Sequence, residues 1–467
     1  MAKDTTKKLT TGKPMSLILG FTLPLLVGML FQQFYSLVDT IIVGKCLGVE
    51  ALAAVGSTGA INFLIIGFCM GVCSGFAIPV AQRFGAGDYE SLRKYVANSV
   101  WLCLLFSAVM TALVCVFCRQ ILVLMQTPDN IIDQAYAYIF IIFLGIPVTY
   151  LYNITSGIMR SLGDSKTPVY FLLLASGINI VLDLIFIAKM GMGVEGAGYA
   201  TVISQFISGL ACLLYMKARF PIIKMQPGDW AWNNRCIATL CHMGVPMGLQ
   251  YSITAIGSVI LQAAVNNLGS NAVAAITAAS RLSMFMVCPF DALGSTMATY
   301  GGQNVGAKEL GRVKEGAKAA TILGLAYAVI ALVVLLFTGK YLLLLFLSAS
   351  ETAIIADAKL FLMIQSCFYF PLALVNIFRF LIQGMGFSLF AIIAGVMEMI
   401  ARSVVAFALV PSIGFLGACF ASPFAWIMAD LFLVPAFLHV HKKLQKNLIQ
   451  GRSFSLKERP CHLLCFF

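Results

Sequence analysis

The chain has 467 residues, 60% of them hydrophobic and only 11% charged, with a formal net charge of +12. An average soluble domain carries about 25% charged residues, and here nearly uncharged runs recur from end to end, which excludes a soluble globular protein and predicts an all-α polytopic membrane protein. The basic residues fall in alternating loops rather than one patch, so the expected partner is the lipid bilayer and not nucleic acid.

The head MAKDTTKKLTTGKP resembles the basic start of a signal peptide, but the apolar run behind it is too long and no small-residue cleavage site follows, so it reads as retained. Residues 14–44 contain one formal charge, Asp39, and outlast what a core of about 30 Å requires at about 1.5 Å per residue. This is the predicted first span, with Pro24 inside it. A carboxylate at the bilayer centre costs roughly 2.5–3.5 kcal/mol by insertion scales, and less near the interface. Asp39 must therefore be stabilised or put to use.

Twelve spans are predicted: 15–43, 51–80, 95–118, 131–158, 168–188, 196–216, 237–266, 270–300, 319–346, 353–382, 388–410 and 413–438. Turn-forming stretches separate them, among them Gly85-Ala86-Gly87-Asp88, Thr127-Pro128-Asp129 and Pro227-Gly228-Asp229. Gly67, Gly71 and Gly75 repeat at every fourth position of the second span, a pattern for close helix packing. Cys115 and Cys118 form a lone CxxC inside an apolar run and read as inert packing. Gly191, Gly193 and Gly196 spell GxGxxG between two membrane helices, with no strand beside them, so nucleotide binding is not expected. No catalytic motif is found. The chain is not expected to be an enzyme, to carry a cofactor, or to hold a metal beyond Na⁺.

Sorted by these spans, 23 Lys and Arg lie on the side of the N-terminus and five on the other, with Arg281, Arg379 and Arg402 inside spans. The positive-inside rule places both termini in the cytoplasm of a multi-pass cell-membrane protein. The sequence also repeats. GFTLPLLVG at 20–28 matches HMGVPMGLQ at 242–250, aligning Pro24 with Pro246, and AQRFGAGDYESLRK from 81 matches GQNVGAKELGRVKE from 302. LGVEALAAV at 47–55 and VEGAGYA at 194–200 recur at 268–276 and 415–421. Constant offsets of 221 or 222 mark a duplication. Six spans per half return the chain to its starting side, which predicts two lobes related by a pseudo-two-fold axis along the membrane normal. The lobes are expected at 1–216 and 236–438, joined by a basic linker at 217–235 and followed by a cytoplasmic tail at 439–467.

The stretches FQQFYSLVDTIIVG, LGVEALAAVG, QRFGAG with GQNVGAKELGRV, and SLGDSKTP resemble the multidrug and toxic compound extrusion family over roughly residues 15–440. The resemblance implies a monomeric twelve-helix antiporter that expels small organic, mainly cationic, compounds in exchange for Na⁺ or H⁺. The acids match the family's DinF-like branch, in which the coupling residues lie in the N-terminal lobe. In this sequence those positions are Asp39, Asn179, Asp183 and Thr201. The other branch, with acids on helices seven and ten, is poorly matched: span seven offers Gln250 and Gln262, and span ten Asn376.

The residues themselves are compatible with such a site. Asp39, Asp183 and Thr201 each stand about five residues from the outer end of a span, about 8 Å deep. Gln32, Tyr35 and Asp39 share one helix face, as do Ser176, Asn179 and Asp183, and Thr201, Ser204 and Ser208. Two carboxylates in a low-dielectric cavity resist joint ionisation, so they can hold and release a proton or Na⁺. Asn and Thr oxygens suit a hard cation. The bland alternative is two hydrated acids near the interface.

In the second half, Glu398 and Arg402 are spaced for an ion pair along span eleven, with substrate contact as the alternative. Asp291 and Asp430 lie mid-span, either lining a cavity or pairing with a spare arginine. Gln32, Tyr35, Gln250, Asp291, Glu398 and Arg402 are the candidate substrate contacts, and Pro24 and Pro246 the candidate helix hinges. Five span acids against three arginines favour cationic substrates. The competing readings are a lipid-linked precursor flippase of the same superfamily and, more remotely, a channel or membrane sensor. Asp39 has no counterpart in the repeat, where the equivalent positions are Ile260 and Leu261.

Overall fold

The computed structural model describes residues 6–450. The apolar end of the tail, with Arg452, Lys457 and Arg459, lies outside the described residues. Among the described residues there is no strand. Ten helices are long and apolar enough to cross a membrane, and two bent pairs raise the number to twelve if each is one span. In chain order they are α1 Pro14–Leu47, α2 Gly59–Ala86, α3 Tyr89–Val116, α4 Ile132–Leu144 with Ile146–Ser161, α5 Thr167–Lys189 and α6 Val194–Arg219. The second half holds α7 Asn234–Asn266, α8 Ser270–Gly306, α9 Leu310–Leu343, α10 Thr352–Cys367 with Tyr369–Gly384, α11 Leu389–Ile413 and α12 Ala421–Ile449.

Several boundaries depart from the sequence reading; spans three and nine begin earlier, at Tyr89 and Leu310, and three further departures stand out. The stretch expected to open span two at 51 is a separate helix, Val49–Ser57. There the Ser57 and Thr58 hydroxyls turn back onto the Ala54 and Val55 carbonyls at 2.7 Å each, and such bonds compete with helix continuation. The last span begins at Ala421 rather than 413, because Gly414 takes φ +61 and sets off a short helix, Phe415–Cys419. That last helix then runs on to Ile449, past the expected end of the lobe at 438. Spans four and ten are bent, by 45° and 51°. Pro147 and Pro371 stand just past the breaks, each lacking the N–H and pushing its ring into the preceding turn. Helices α1 and α7 run unbroken through Pro24 and Pro246.

The repeat is visible in backbone detail that hydropathy does not carry. Helix α5 ends in a π-helical turn, Leu184–Lys189, and α11 carries one at the equivalent place, Val405–Leu409. A π turn widens a helix and re-aims the residue before it. In the first half that residue is Asp183; in the second it is Val404.

The core falls into two main clusters, one for each half. Helix α1 belongs to both. Ile18, Phe21, Leu25 and Met29 pack into or against the second-half core, whereas Val38, Ile42 and Val43 pack into or against the first-half core, so the helix changes lobes between Met29 and Val38. The Thr22 hydroxyl ties the inner part to Thr296 of α8 at 2.9 Å. Leu25, Gly28 and Met29 also line the first-half cavity, so the inner part of α1 stands between the two halves.

Between the halves, α2 lies directly on α7. A Cβ added at Gly71 would stand 2.6 Å from the Met247 carbonyl oxygen, and one added at Gly75 would stand 2.6 Å from that of Met243. Gly244 and Gly248 face them from α7. The glycine row expected to pack closely does so, and its partner is the other lobe.

The lobes are also pinned at the face that carries most of the Lys and Arg. The Gln82 side chain donates to the Gly384 carbonyl, and its repeat equivalent Gln303 donates to the Ser161 carbonyl, each at 2.9 Å. A strap ahead of α1 covers one of these crossings. Leu9 is 1% exposed, its N–H donates to Gln303 at 2.8 Å, and its carbonyl accepts from Asn304 at 3.3 Å. Arg312 donates to the Gly12 carbonyl at 2.9 Å, and the Lys7 N–H donates to Leu162 of the first half at 3.1 Å. On this same face Asp88 caps α3. Burial opposes its charge, but the Ser91 N–H at 3.1 Å and Arg83 at 3.2 Å outweigh that and hold its carboxyl below the usual range.

Candidate functional site

The first half encloses a cavity of about 340 Å³ among α1, α2, α4, α5 and α6. Gln32, Tyr35 and Asp39 reach it from one face of α1, Ser176 and Asn179 from α5, and Thr201, Ser204 and Gln205 from α6. The i, i+3, i+7 rows in the sequence face this space except at their far ends on α5 and α6, Asp183 and Ser208, which do not line it. A volume of this size is in the range that holds a drug-sized molecule.

Asp183 lies just behind the wall. It is fully buried, one helical turn beyond Asn179, and its carboxyl group comes within hydrogen-bonding reach of Asp39. Both carboxylate oxygens of Asp183, both amide atoms of Asn179 and one carboxylate oxygen of Asp39 are buried without a hydrogen-bond partner. Buried polar atoms left unpaired cost about 1–3 kcal/mol each, so the oxygens of this cluster suit a proton or a cation, whereas the Asn179 amide nitrogen needs an acceptor. A proton shared between the two carboxyls supplies a donor. A Na⁺ would find oxygens from Asp39, Asp183 and Asn179, the ligand type that hard cations take. Tyr35 and Tyr138 bring hydroxyls into electrostatic reach of both acids. On α4, Thr149 donates to Gln205 at 3.3 Å and Asn153 donates to the Thr149 carbonyl at 2.8 Å, which fixes the polar wall opposite α5.

The other candidates, all in the second half except Pro24, do not line this cavity. Gln250 is buried and accepts from Gln383 at 2.6 Å. Glu398 does pair with Arg402 along α11, at 3.7 Å, but its other oxygen takes a closer bond from Arg379 of α10. Arg379, which sequence left without a partner, thus makes a buried Arg–Glu–Arg triad. Asp291 and Asp430 stand within electrostatic reach of Arg379, and one oxygen of Asp430 is buried without a partner. Pro24 sits in the part of α1 that packs on the second-half core; Pro246 sits on α7, between Gly244 and Gly248, in the glycine seam.

One residue that sequence reasoning missed is Arg160. Counted as a basic loop residue, it instead occupies the last turn of α4 and lines the cavity. Its signal was its place before the SLGDSKTP loop, which hydropathy cannot assign to a side of the helix.

Comparison with known proteins agrees with this architecture. A family model described as MatE matches the chain twice, over residues 24–185 and 246–408. The two matches begin at the paired prolines and restate the duplication. The chain is 30% identical over 357 residues to a probable multidrug resistance protein YoeA of Bacillus subtilis, covering 75% of this chain and 77% of that one. It is 25% identical over 373 residues to a FAD transporter of Shewanella oneidensis, covering 77% and 80%. Among solved structures it resembles the outward-facing conformation of a multidrug resistance MATE family transporter, with a TM-score of 0.88, 23% identity, and coverage of 95% and 99%.

Proposed function

The chain belongs to the MatE family of membrane transporters, and we propose that it exports amphipathic, cationic organic compounds in exchange for H⁺ or Na⁺, by alternating access of its two lobes. The relatives' names span drugs and FAD, so the chemistry is argued from the cavity. The observation that carries the reading is the unpaired cluster of Asp39, Asn179 and Asp183 at the edge of a drug-sized space. An acid pair next to that space binds a coupling ion or an organic cation, but not both at full strength, because each satisfies the same charge. Competition for one site is what exchange requires. The pair sits on α1 and α5, and α1 is shared between the lobes, so loading the site acts on the helix that spans the seam. Both termini face the cytoplasm in this reading, in keeping with the basic face at the latch.

The test is transport of a fluorescent organic cation by the purified protein in proteoliposomes under an imposed H⁺ or Na⁺ gradient. Accumulation should follow one of the two gradients and collapse when it is dissipated. Movement indifferent to both gradients overturns exchange.

A further inference from the structure

Three of the chain's four tryptophans gather on the face that carries most of the Lys and Arg. Trp101 stands on α3, and Trp230 and Trp232 on the linker between the halves. The linker lies along α3 and is fastened to it at three levels. Asp229 accepts an ion pair from Arg93 at 2.9 Å. The Asn98 side chain holds the Ala231 carbonyl and the Asn233 N–H at 3.3 and 3.0 Å. The Trp101 indole N–H donates to the Trp230 carbonyl at 3.2 Å. The Trp101 and Trp230 rings meet edge to face, 6.3 Å between centres. Yet Trp101, Trp230 and Trp232 remain 41%, 42% and 56% exposed. Trp101 also opens an exposed apolar strip on α3 that continues with Leu104, Leu105 and Val109, at the spacing of one helix face.

The charge around this ledge is one-sided. Residues 217–235 contain Lys217, Arg219, Lys224 and Arg235 against a single acid, Asp229. Asp229 is buried and already neutralised by Arg93, and nearby Lys94 is paired with Glu90 at 2.6 Å. The four linker cations are exposed, and among the described residues none has an acid within ion-pair distance. Arg93 and Trp101 are eight residues apart, about 12 Å along α3. The cations and the indoles thus span the depth from a headgroup layer to the start of the tails, where tryptophan settles in membranes.

We propose that the linker and α3 form a docking site for an anionic phospholipid of the leaflet on this face. Its phosphate and charged headgroup lie among the linker cations, and its acyl chains lie against the indoles and the strip beyond Trp101. A soluble acidic partner would neutralise the cations but leave the indoles and the strip uncovered. A zwitterionic lipid would cover the indoles but bring a second cation to an already basic surface. An anionic lipid satisfies both halves of the site. The place is also mechanically pointed. Asn233, whose N–H is held by Asn98 of α3, caps α7 with its side chain, accepting from the Arg235 and Cys236 N–H groups at 3.0 and 3.1 Å. A lipid on this ledge rests against the joint where the first half hands over to the second. The proposal is independent of which ion or compound is exchanged.

The experiment reads tryptophan fluorescence of the full chain in phosphatidylcholine proteoliposomes. Bromine on an acyl chain quenches an indole only on contact, and the fourth tryptophan, Trp426, is buried in the second-half core. Brominated phosphatidylglycerol is titrated in one series and brominated phosphatidylcholine in another. Quenching by the anionic lipid should reach half its maximum at a mole fraction at least fivefold lower than quenching by the zwitterionic one. The double variant Lys224→Gln, Arg235→Gln should bring that ratio close to one, whereas Lys340→Gln, at the far end of α9, should leave it unchanged. Equal quenching by the two lipids in wild type overturns the proposal without recourse to any variant, and is the result expected of a surface made for a soluble acidic partner. A ratio that survives in the double variant, or falls as far in Lys340→Gln, overturns the assignment to the linker.

Discussion

Gln82 and Gln303 occupy the same place in the two halves, and each donates at 2.9 Å to a carbonyl of the opposite half. Together they make a two-fold latch from a single duplicated motif. The strap breaks the symmetry, because Leu9 engages Gln303 alone.

Replacing Gln303 by Ala strands the Ser161 carbonyl and the Leu9 N–H, two buried groups worth about 1–3 kcal/mol each when left unpaired. The strap should then open more often. Hydrogen exchange at the Lys7 and Leu9 amides is expected to speed up by at least tenfold, while Gln82→Ala leaves those two amides near their original rates. Equal effects from both variants would mean that the strap is held by something other than Gln303.

The seam makes a sharper demand on size. Gly75→Ala puts a methyl 2.6 Å from the Met243 carbonyl oxygen, whereas at Gly67 the nearest atom, Cβ of Tyr251, is 3.5 Å away. Overpacking of the first kind costs about 1–3 kcal/mol; the second contact is ordinary. Thermal unfolding of the purified variants should show a clear loss for Gly75→Ala and little change for Gly67→Ala.

Glu398 holds two buried arginines. Glu398→Gln leaves both uncompensated, and breaking such a network costs about 3–5 kcal/mol. Arg402→Gln removes only the looser partner, at 3.7 Å, and leaves Glu398 paired to Arg379. Apparent melting temperatures should rank wild type, Arg402→Gln, Glu398→Gln. The reverse order of the two variants would show that Arg402 is the main counter-charge.

Asp39→Asn and Asp183→Asn should each keep the fold and lose gradient-driven transport. Because the two carboxyls face one another, the double variant should be no worse than either single one, the mark of groups acting as a unit. Losses that multiply would place the acids in separate sites.

The membrane fold was legible because hydropathy writes it directly, and the duplication because polar loop motifs such as QRFGAG and GQNVGA survive in both halves. Asp39 was legible as the one charge in a long apolar run. What sequence left open were partners across space. Glu398 and Arg402 share a helix and their spacing could be read, but Arg379 belongs to the preceding span and nothing local links it to Glu398. The glycine row announced a close contact without saying that α7 of the other lobe supplies it. Leu9 is a lone apolar residue in a polar head, and only the tertiary hydrogen bonds to Gln303 and Asn304 bury it. Arg160 sits at a helix end, where one turn decides between loop and cavity. The π turns cannot be read from composition at all, although one of them begins directly after Asp183.

The glycine crossing of α2 and α7 has a mechanical consequence. At Gly71 and Gly75 backbone rests on backbone, and beside them the rings of Phe68 and Phe76 are seated on Gly248 and Gly244 of α7. Two surfaces keyed together in this way move as one piece, as a dovetail joint does, unless the two rings swing out of their seats. Any displacement of one half against the other would have to unseat those rings as well as break the Gln82 and Gln303 hydrogen bonds at the rim.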